Sequence, residues 1–100
     1  MKSKEIIEIL SRNLTEIKKF GVKKIGVFGS AIRDELKKGS DIDVIVEFEE
    51  GKATFENVGK LIDFLENIFG RKVDILTPYG IESIRIKEIK ENIKKEIVYV

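Results

Sequence analysis

Between Asp41 and Phe48 the chain alternates without a break: Ile42, Val44, Val46 and Phe48 fall on one side, Asp41, Asp43, Ile45 and Glu47 on the other. A period of two marks a β-strand, because successive side chains leave a pleated backbone in opposite directions. One side is wholly apolar and has to be covered, so this strand belongs to a sheet with helices packed on it. The other side opens with two carboxylates, an odd start for a strand. The rest of the chain has to be arranged around this element.

The flanking patterns supply that arrangement. From Lys4 to Phe20, the residues Ile6, Ile7, Leu10, Leu14, Ile17 and Phe20 recur at intervals of three and four, which predicts one amphipathic helix with Ser3 as its cap and Gly21 at its end. Lys24 to Phe28 is short, rich in Val, Ile and Phe, and runs straight into Gly29-Ser30: a buried strand stopped by a tight turn. A brief helix, Ala31 to about Lys37, follows and is closed by Gly39. After a loop at Glu49-Glu50-Gly51-Lys52, the residues Phe55, Val58, Leu61, Ile62, Leu65, Ile68 and Phe69 trace a helix ended by Gly70. Lys72 to Leu76 reads as a third, central strand, stopped at Thr77-Pro78-Tyr79-Gly80. A last helix carries Ile84, Ile86, Ile89 and Ile93, and Glu96 to Val100 is either a short edge strand or the helix end.

This order predicts a two-layer α/β fold, a small mixed sheet packed with helices, as a single domain over residues 1–100. The dozen or so residues between the first two strands are marginal for a parallel crossover, so that pair should be antiparallel. The second and third strands, joined by a full helix, should be parallel with a right-handed crossover.

Composition narrows the chemistry. The sequence holds no cysteine and no histidine, which excludes disulfides, thiolate or imidazole metal sites, cysteine nucleophiles and Ser-His-Asp catalysis. Any reaction must run on carboxylates, hydroxyls, lysines, arginines or a hard metal. Nineteen basic and eighteen acidic residues leave a formal charge of +1, so no global field draws the protein to nucleic acid or to a membrane. The charged start of the chain and the lack of a long apolar run predict a soluble, cytoplasmic protein. Its wealth of Ile, Lys and Glu resembles the composition of proteins from hot environments. Lys87, Lys90, Lys94 and Lys95, interleaved with glutamates, read as a solvated helix face.

Three features carry chemistry. Gly29-Ser30 sits where a strand ends and a helix begins, so backbone N–H groups, the Ser30 hydroxyl and the start of the short helix point at one spot that suits phosphate; alone, the dipeptide is also an ordinary capped turn. Asp41 and Asp43 stand at i and i+2 on one strand face, roughly 7 Å apart, where their oxygens converge on one or two divalent ions or simply face water. Asp74 interrupts the apolar run Val73-Asp74-Ile75-Leu76 and needs a metal, a cation such as Arg71 or Lys72, or an open cleft beside it.

Gly29-Ser30, ten residues, Asp41-x-Asp43 and a further strand aspartate together resemble the signature of the DNA polymerase beta-like nucleotidyltransferase superfamily. With Arg33 and Glu35 inside the spacer and Ser40 before the first aspartate, the stretch is similar to the minimal nucleotidyltransferases, small prokaryotic antitoxins encoded beside HEPN-domain toxins. The resemblance covers nearly the whole chain. It implies an MgATP site with Gly29, Ser30 and Arg33 on the nucleotide and Asp41, Asp43 and Asp74 as catalytic residues around Mg²⁺, with two ions expected. It also implies transfer of AMP from ATP to a tyrosine hydroxyl of a HEPN-type toxin, with Asp74 placed to accept the proton. A non-catalytic antitoxin that acts by binding alone, and a transferase acting on a small alcohol, are the alternatives. Ile32 and Asp34 depart from the Ala and Gly common in the family, and an inward-pointing Asp34 would weaken nucleotide binding. Arg33 either touches phosphate or braces Glu35. Self-association is left open. The toxin is expected to dock between the loop Glu49 to Thr54 and the segment Thr77 to Gly80, where Tyr79 stacks on adenine or on the partner, or covers the sheet edge.

Overall fold

The structure is a computed structural model describing residues 1–100. Its elements in chain order are α1 (Ser3–Arg12), α2 (Leu14–Lys18), β1 (Val22–Phe28), a 3-10 turn (Gly29–Ala31), β2 (Ile42–Phe48), α3 (Phe55–Phe69), β3 (Val73–Leu76), α4 (Pro78–Glu82), α5 (Lys87–Glu96) and β4 (Val98–Tyr99). The four strands form one mixed sheet in the order β3-β2-β1-β4. β1 runs antiparallel to β2 and to β4, and β2 runs parallel to β3, as the connection lengths require. β3 is therefore an edge strand and not a central one.

The alternation of β2 separates two cores. Ile42, Val44 and Val46 join Ile25 and Val27 of β1 beneath the inner faces of the helices, Ile6 and Leu10 of α1, Ile17 of α2, and Leu61, Leu65 and Phe69 of α3. Each such aliphatic side chain contributes about 1.5–3 kcal/mol by leaving water. On the opposite face Ile45 meets Phe28 and Ile81, with Leu76, Ile93 and Ile97 packed around them. The helix α3 is bounded as its pattern demands: the Thr54 hydroxyl accepts from the Asn57 N–H at 3.1 Å, and Gly70 ends it at φ 65°. No helix is long and apolar enough to cross a membrane.

Several expectations are corrected. The first helix is two, because Asn13 breaks it: its backbone leaves helical geometry at φ −105°, ψ 10° while its side-chain amide donates to the Ile9 carbonyl at 2.8 Å. Ser3 is not a cap; it is the first residue of α1, preceded by Lys2, which makes no side-chain cap bond. Phe55 does not join the core stripe and is fully exposed, since it opens the first turn of α3. The last helix begins at Lys87 and buries none of its own residues, leaving Ile86 and Ile89 exposed.

The helix expected over Ala31 to Lys37 shrinks to the three-residue turn at Gly29–Ala31. Ile32 and Arg33 both donate to the Gly29 carbonyl, but Asp34 adopts φ 58°, the left-handed region, and a helix cannot continue through it. That conformation explains why a glycine would suit this position. Asp34 turns away from the Gly29 turn and accepts the Ser3 N–H at 2.6 Å, doing for α1 what Ser3 was expected to do. This hydrogen bond is the main cause that holds its carboxyl below the usual range. A depressed carboxylate stabilises the fold above its unfolded pKa and ceases to do so as the pH falls through its folded one. Asp34→Ala, which loses the bond and keeps the left-handed strain, should therefore melt lowest, with Asp34→Gly between it and the unaltered protein. Melting curves should show the gap between the unaltered protein and Asp34→Gly closing in acid.

Candidate active site

Register brings the aspartates together. Asp43 is the Cα partner of Phe28 on β1 and of Asp74 on β3, so Asp43 and Asp74 stand side by side on one face, with strands about 4.8 Å apart. Asp41 precedes β2 by one residue and falls on the same side by the alternation. None of the three takes part in any of the chain's ion pairs. Arg71, the sequence's alternative partner for Asp74, instead donates to the carbonyls of Lys37 and Ser40, at 2.9 and 3.1 Å, and ties the spacer loop to the start of β3.

Clustered carboxylates without a cation repel one another. The Asp43 carboxyl is held above the ordinary range by burial first, then by the charges of Asp74 and Asp41, with Arg33 opposing. Asp74 is raised by desolvation, by the Asp41 charge, by a hydrogen bond shared with Asp41 and by the charge of Glu66. Because Asp74 is exposed, water moderates these effects.

Gly29 lies directly against this cluster. Its φ is +72°, and a Cβ built on it would sit 2.5 Å from Asp43 Oδ2. The nearest obstacle to a side chain at this position is the Asp43 carboxylate. The Gly29 N–H donates to Glu96 Oε2 at 3.3 Å, and Ser30, half-buried, accepts the Glu35 N–H through its carbonyl at 2.9 Å. Arg33 donates to Glu35 Oε1 at 2.7 Å and to Glu96 Oε1 at 2.6 Å. Arg33 thus braces Glu35, and through its charge it also acts on Asp43.

Sequence reasoning missed Glu96, which lies 67 residues from Gly29 and reaches it only because β4 folds back along β1. It also missed a polar cleft of about 450 Å³ lined by Lys38, Ser40, Asp41, Arg71 and Lys72, at the sheet end where β2 and β3 begin. The paired basic residues at Lys37-Lys38 and Arg71-Lys72 were the available signal.

The expected docking mouth forms between the loop after β2 and the segment after β3, toward the opposite end of these strands from the carboxylates. Glu49, Glu50, Pro78 and Tyr79 line a cleft of about 560 Å³. It stands at the C-terminal ends of β2 and β3, its nearest lining residues Val46 and Thr77 each three residues beyond Asp43 and Asp74, roughly 10 Å along the strands. Tyr79 is 82% exposed and does not cover the sheet edge.

No three acidic side chains are gathered into a ready-made metal cage. Mg²⁺ does not need one: it keeps several waters and takes one or two carboxylates together with substrate phosphates. Hard oxygen donors, mutual repulsion and the absence of an ion pair to any of them fit such an ion at Asp41, Asp43 and Asp74.

The nucleotidyltransferase domain family matches residues 3–100. A Methanocaldococcus jannaschii protein bearing the name "putative protein adenylyltransferase" is 41% identical over 98 residues, 96% of this chain and 95% of that protein. The protein adenylyltransferase MntA of Thermococcus cleftensis is 37% identical over 97 residues, 96% of this chain and 93% of that protein. A solved structure described as a "putative minimal nucleotidyltransferase" superposes with a TM-score of 0.75 at 28% identity, covering 98% of this chain and 95% of that one. A toxin–antitoxin crystal structure with AMP-PNP has a TM-score of 0.61 at 18% identity, covering 99% and 72% respectively, and shows the shared fold alone.

Proposed function

This chain belongs to the nucleotidyltransferase domain family and is a nucleotidyltransferase, and we propose that it transfers AMP from ATP to a tyrosine hydroxyl of a HEPN-type toxin, silencing it as an antitoxin. The observation that carries this reading is the pairing of Asp43 with Asp74 across adjacent strands, beside Asp41 and against Gly29, with none of the three engaged in an ion pair. The protein adenylyltransferase names of the relatives support AMP as the group transferred. The AMP-PNP in a structural neighbour is compatible with ATP as its source.

Each residue has a part. The Gly29 N–H and the Ser30 hydroxyl orient the phosphates, and the Arg33 guanidinium offers a charged donor to their oxygens. Asp41, Asp43 and Asp74 would hold Mg²⁺. When bound, the ion neutralises triphosphate charge and favours in-line displacement at the α-phosphorus. Asp74 stands on an edge strand and is exposed, so a hydroxyl carried by another protein has access to it. As the acceptor oxygen forms its bond to the α-phosphorus, pyrophosphate departs and the hydroxyl proton passes to the Asp74 carboxylate. A tyrosine, with an unperturbed pKa of ~10, yields its proton to a carboxylate more readily than an alcohol does.

The test is labelled ATP, Mg²⁺ and a cognate HEPN toxin, run against the same toxin with its candidate tyrosine changed to phenylalanine. Label should enter the first toxin only. Suppression of an unlabelled toxin by stoichiometric binding would replace the transferase reading with sequestration. Label on an aminoglycoside but not on the toxin would retain the chemistry and overturn the protein substrate.

A further inference from the structure

The last residue of α5, Glu96, closes over the turn that follows β1. Its two carboxylate oxygens accept from the Gly29 N–H at 3.3 Å and from the Arg33 guanidinium at 2.6 Å. Both donors are ones the proposed function gives to the triphosphate. A carboxylate offers an N–H and a guanidinium the same paired oxygen acceptors that a phosphate does. We propose, resting on that assignment of Gly29 and Arg33, that Glu96 is a resident anion of the phosphate site: it holds the seat of the phosphate oxygens until the nucleotide displaces it, and so sets nucleotide affinity.

The fold does not need Glu96 there. The C-terminal segment is anchored without it, through Ile93 and Ile97 in the Phe28–Ile45–Ile81 cluster and through the pairing of Val98 and Tyr99 with β1. Lys94 and Lys90 tie α5 to Glu82 of α4, at 2.8 and 3.8 Å. Nor does α5 gain from an acidic last residue, since negative charge is unfavourable at a helix C-terminus. The Glu96 side chain is 27% exposed, so it has room to swing outward, and Arg33 retains Glu35 when it does.

Displacing a partly exposed carboxylate from one guanidinium and one N–H weakens apparent affinity modestly, because exposed ion pairs are weak. Calorimetry with Mg²⁺ and AMP-PNP on the purified full chain should show binding tighter by about 2- to 5-fold in Glu96→Gln, and tighter also in Glu96→Ala. Arg33→Ala and Ser30→Ala should bind more weakly, and melting curves of all four variants establish that each is folded. Equal or weaker binding in both Glu96 variants, with Arg33→Ala still impaired, overturns the resident anion and leaves the phosphate site standing. If Arg33→Ala and Ser30→Ala also bind normally, the phosphates lie elsewhere and both readings fall.

Discussion

Asp43→Asn should lower AMP transfer by at least ~10²-fold while leaving the chain folded. The amide keeps the shape of the carboxylate and removes its charge, so the core is undisturbed and the loss falls on the site. A metal ion acting on a phosphoryl group supplies several kcal/mol of transition-state stabilisation, and each ~1.4 kcal/mol is a factor of ten in rate. Stability should move the other way. Burial and the charges of Asp74 and Asp41 hold the Asp43 carboxyl above the ordinary range, so its ionised form is disfavoured in the folded chain. A carboxylate with a raised folded pKa lowers stability above that pKa, and the loss is relieved as the pH falls toward its unfolded value. With chelator present at neutral pH, Asp43→Asn should therefore melt at the same temperature as the unaltered protein or higher, and its stability should change less on mild acidification. Adding Mg²⁺ should raise the melting temperature of the unaltered protein and do less for the variant. Transfer at the unaltered rate, or an equal Mg²⁺ shift in both proteins, would sink the metal assignment.

Much of this site was legible because its decisive residues are local. The spacing of Gly29-Ser30 and Asp41-x-Asp43 lies within fifteen residues, and the two-residue period of β2 fixes the side on which Asp43 stands. Asp74 followed from connection length, since a helix between β2 and β3 makes them parallel neighbours. What stayed hidden depends on the long-range return of the chain. Glu96 gives no sign in sequence that it reaches Gly29, because that contact needs β4 to pair with β1. The break at Asn13 arises from one amide competing with the helix backbone, which apolar periodicity does not register. The separation of the docking mouth from the carboxylates is not visible in sequence for a different reason: strand C-termini attract ligands in open parallel sheets, whereas here β2 and β3 begin at the carboxylates and β1, running the other way, ends there.

Gly29→Val should abolish transfer and cost the fold about 1–3 kcal/mol, because a β-branched residue is strained at φ +72°. At ~4–8 °C per kcal/mol for a domain of this size, that is a fall of roughly 10 °C in melting temperature. Ser30→Ala, which loses one hydroxyl contact worth ~1 kcal/mol, should reduce ATP affinity only about fivefold. The cause of the glycine requirement is separable from its effect on catalysis. A Cβ at position 29 would lie 2.5 Å from Asp43 Oδ2 and 3.4 Å from Asp43 Cγ, so the conflict is with one side chain and not with backbone. Gly29→Ala carries the same Cβ with less backbone strain, and its destabilisation should therefore shrink when combined with Asp43→Ala, which removes the obstructing carboxylate. A double-mutant cycle on melting free energies measures that coupling, and contacting residues show values of about 0.5–3 kcal/mol. The double variant should regain stability without regaining transfer, since the metal-holding carboxylate is gone. Coupling near zero would mean that the backbone conformation alone demands glycine. ATP affinity unchanged in Gly29→Val would place the phosphates away from this turn.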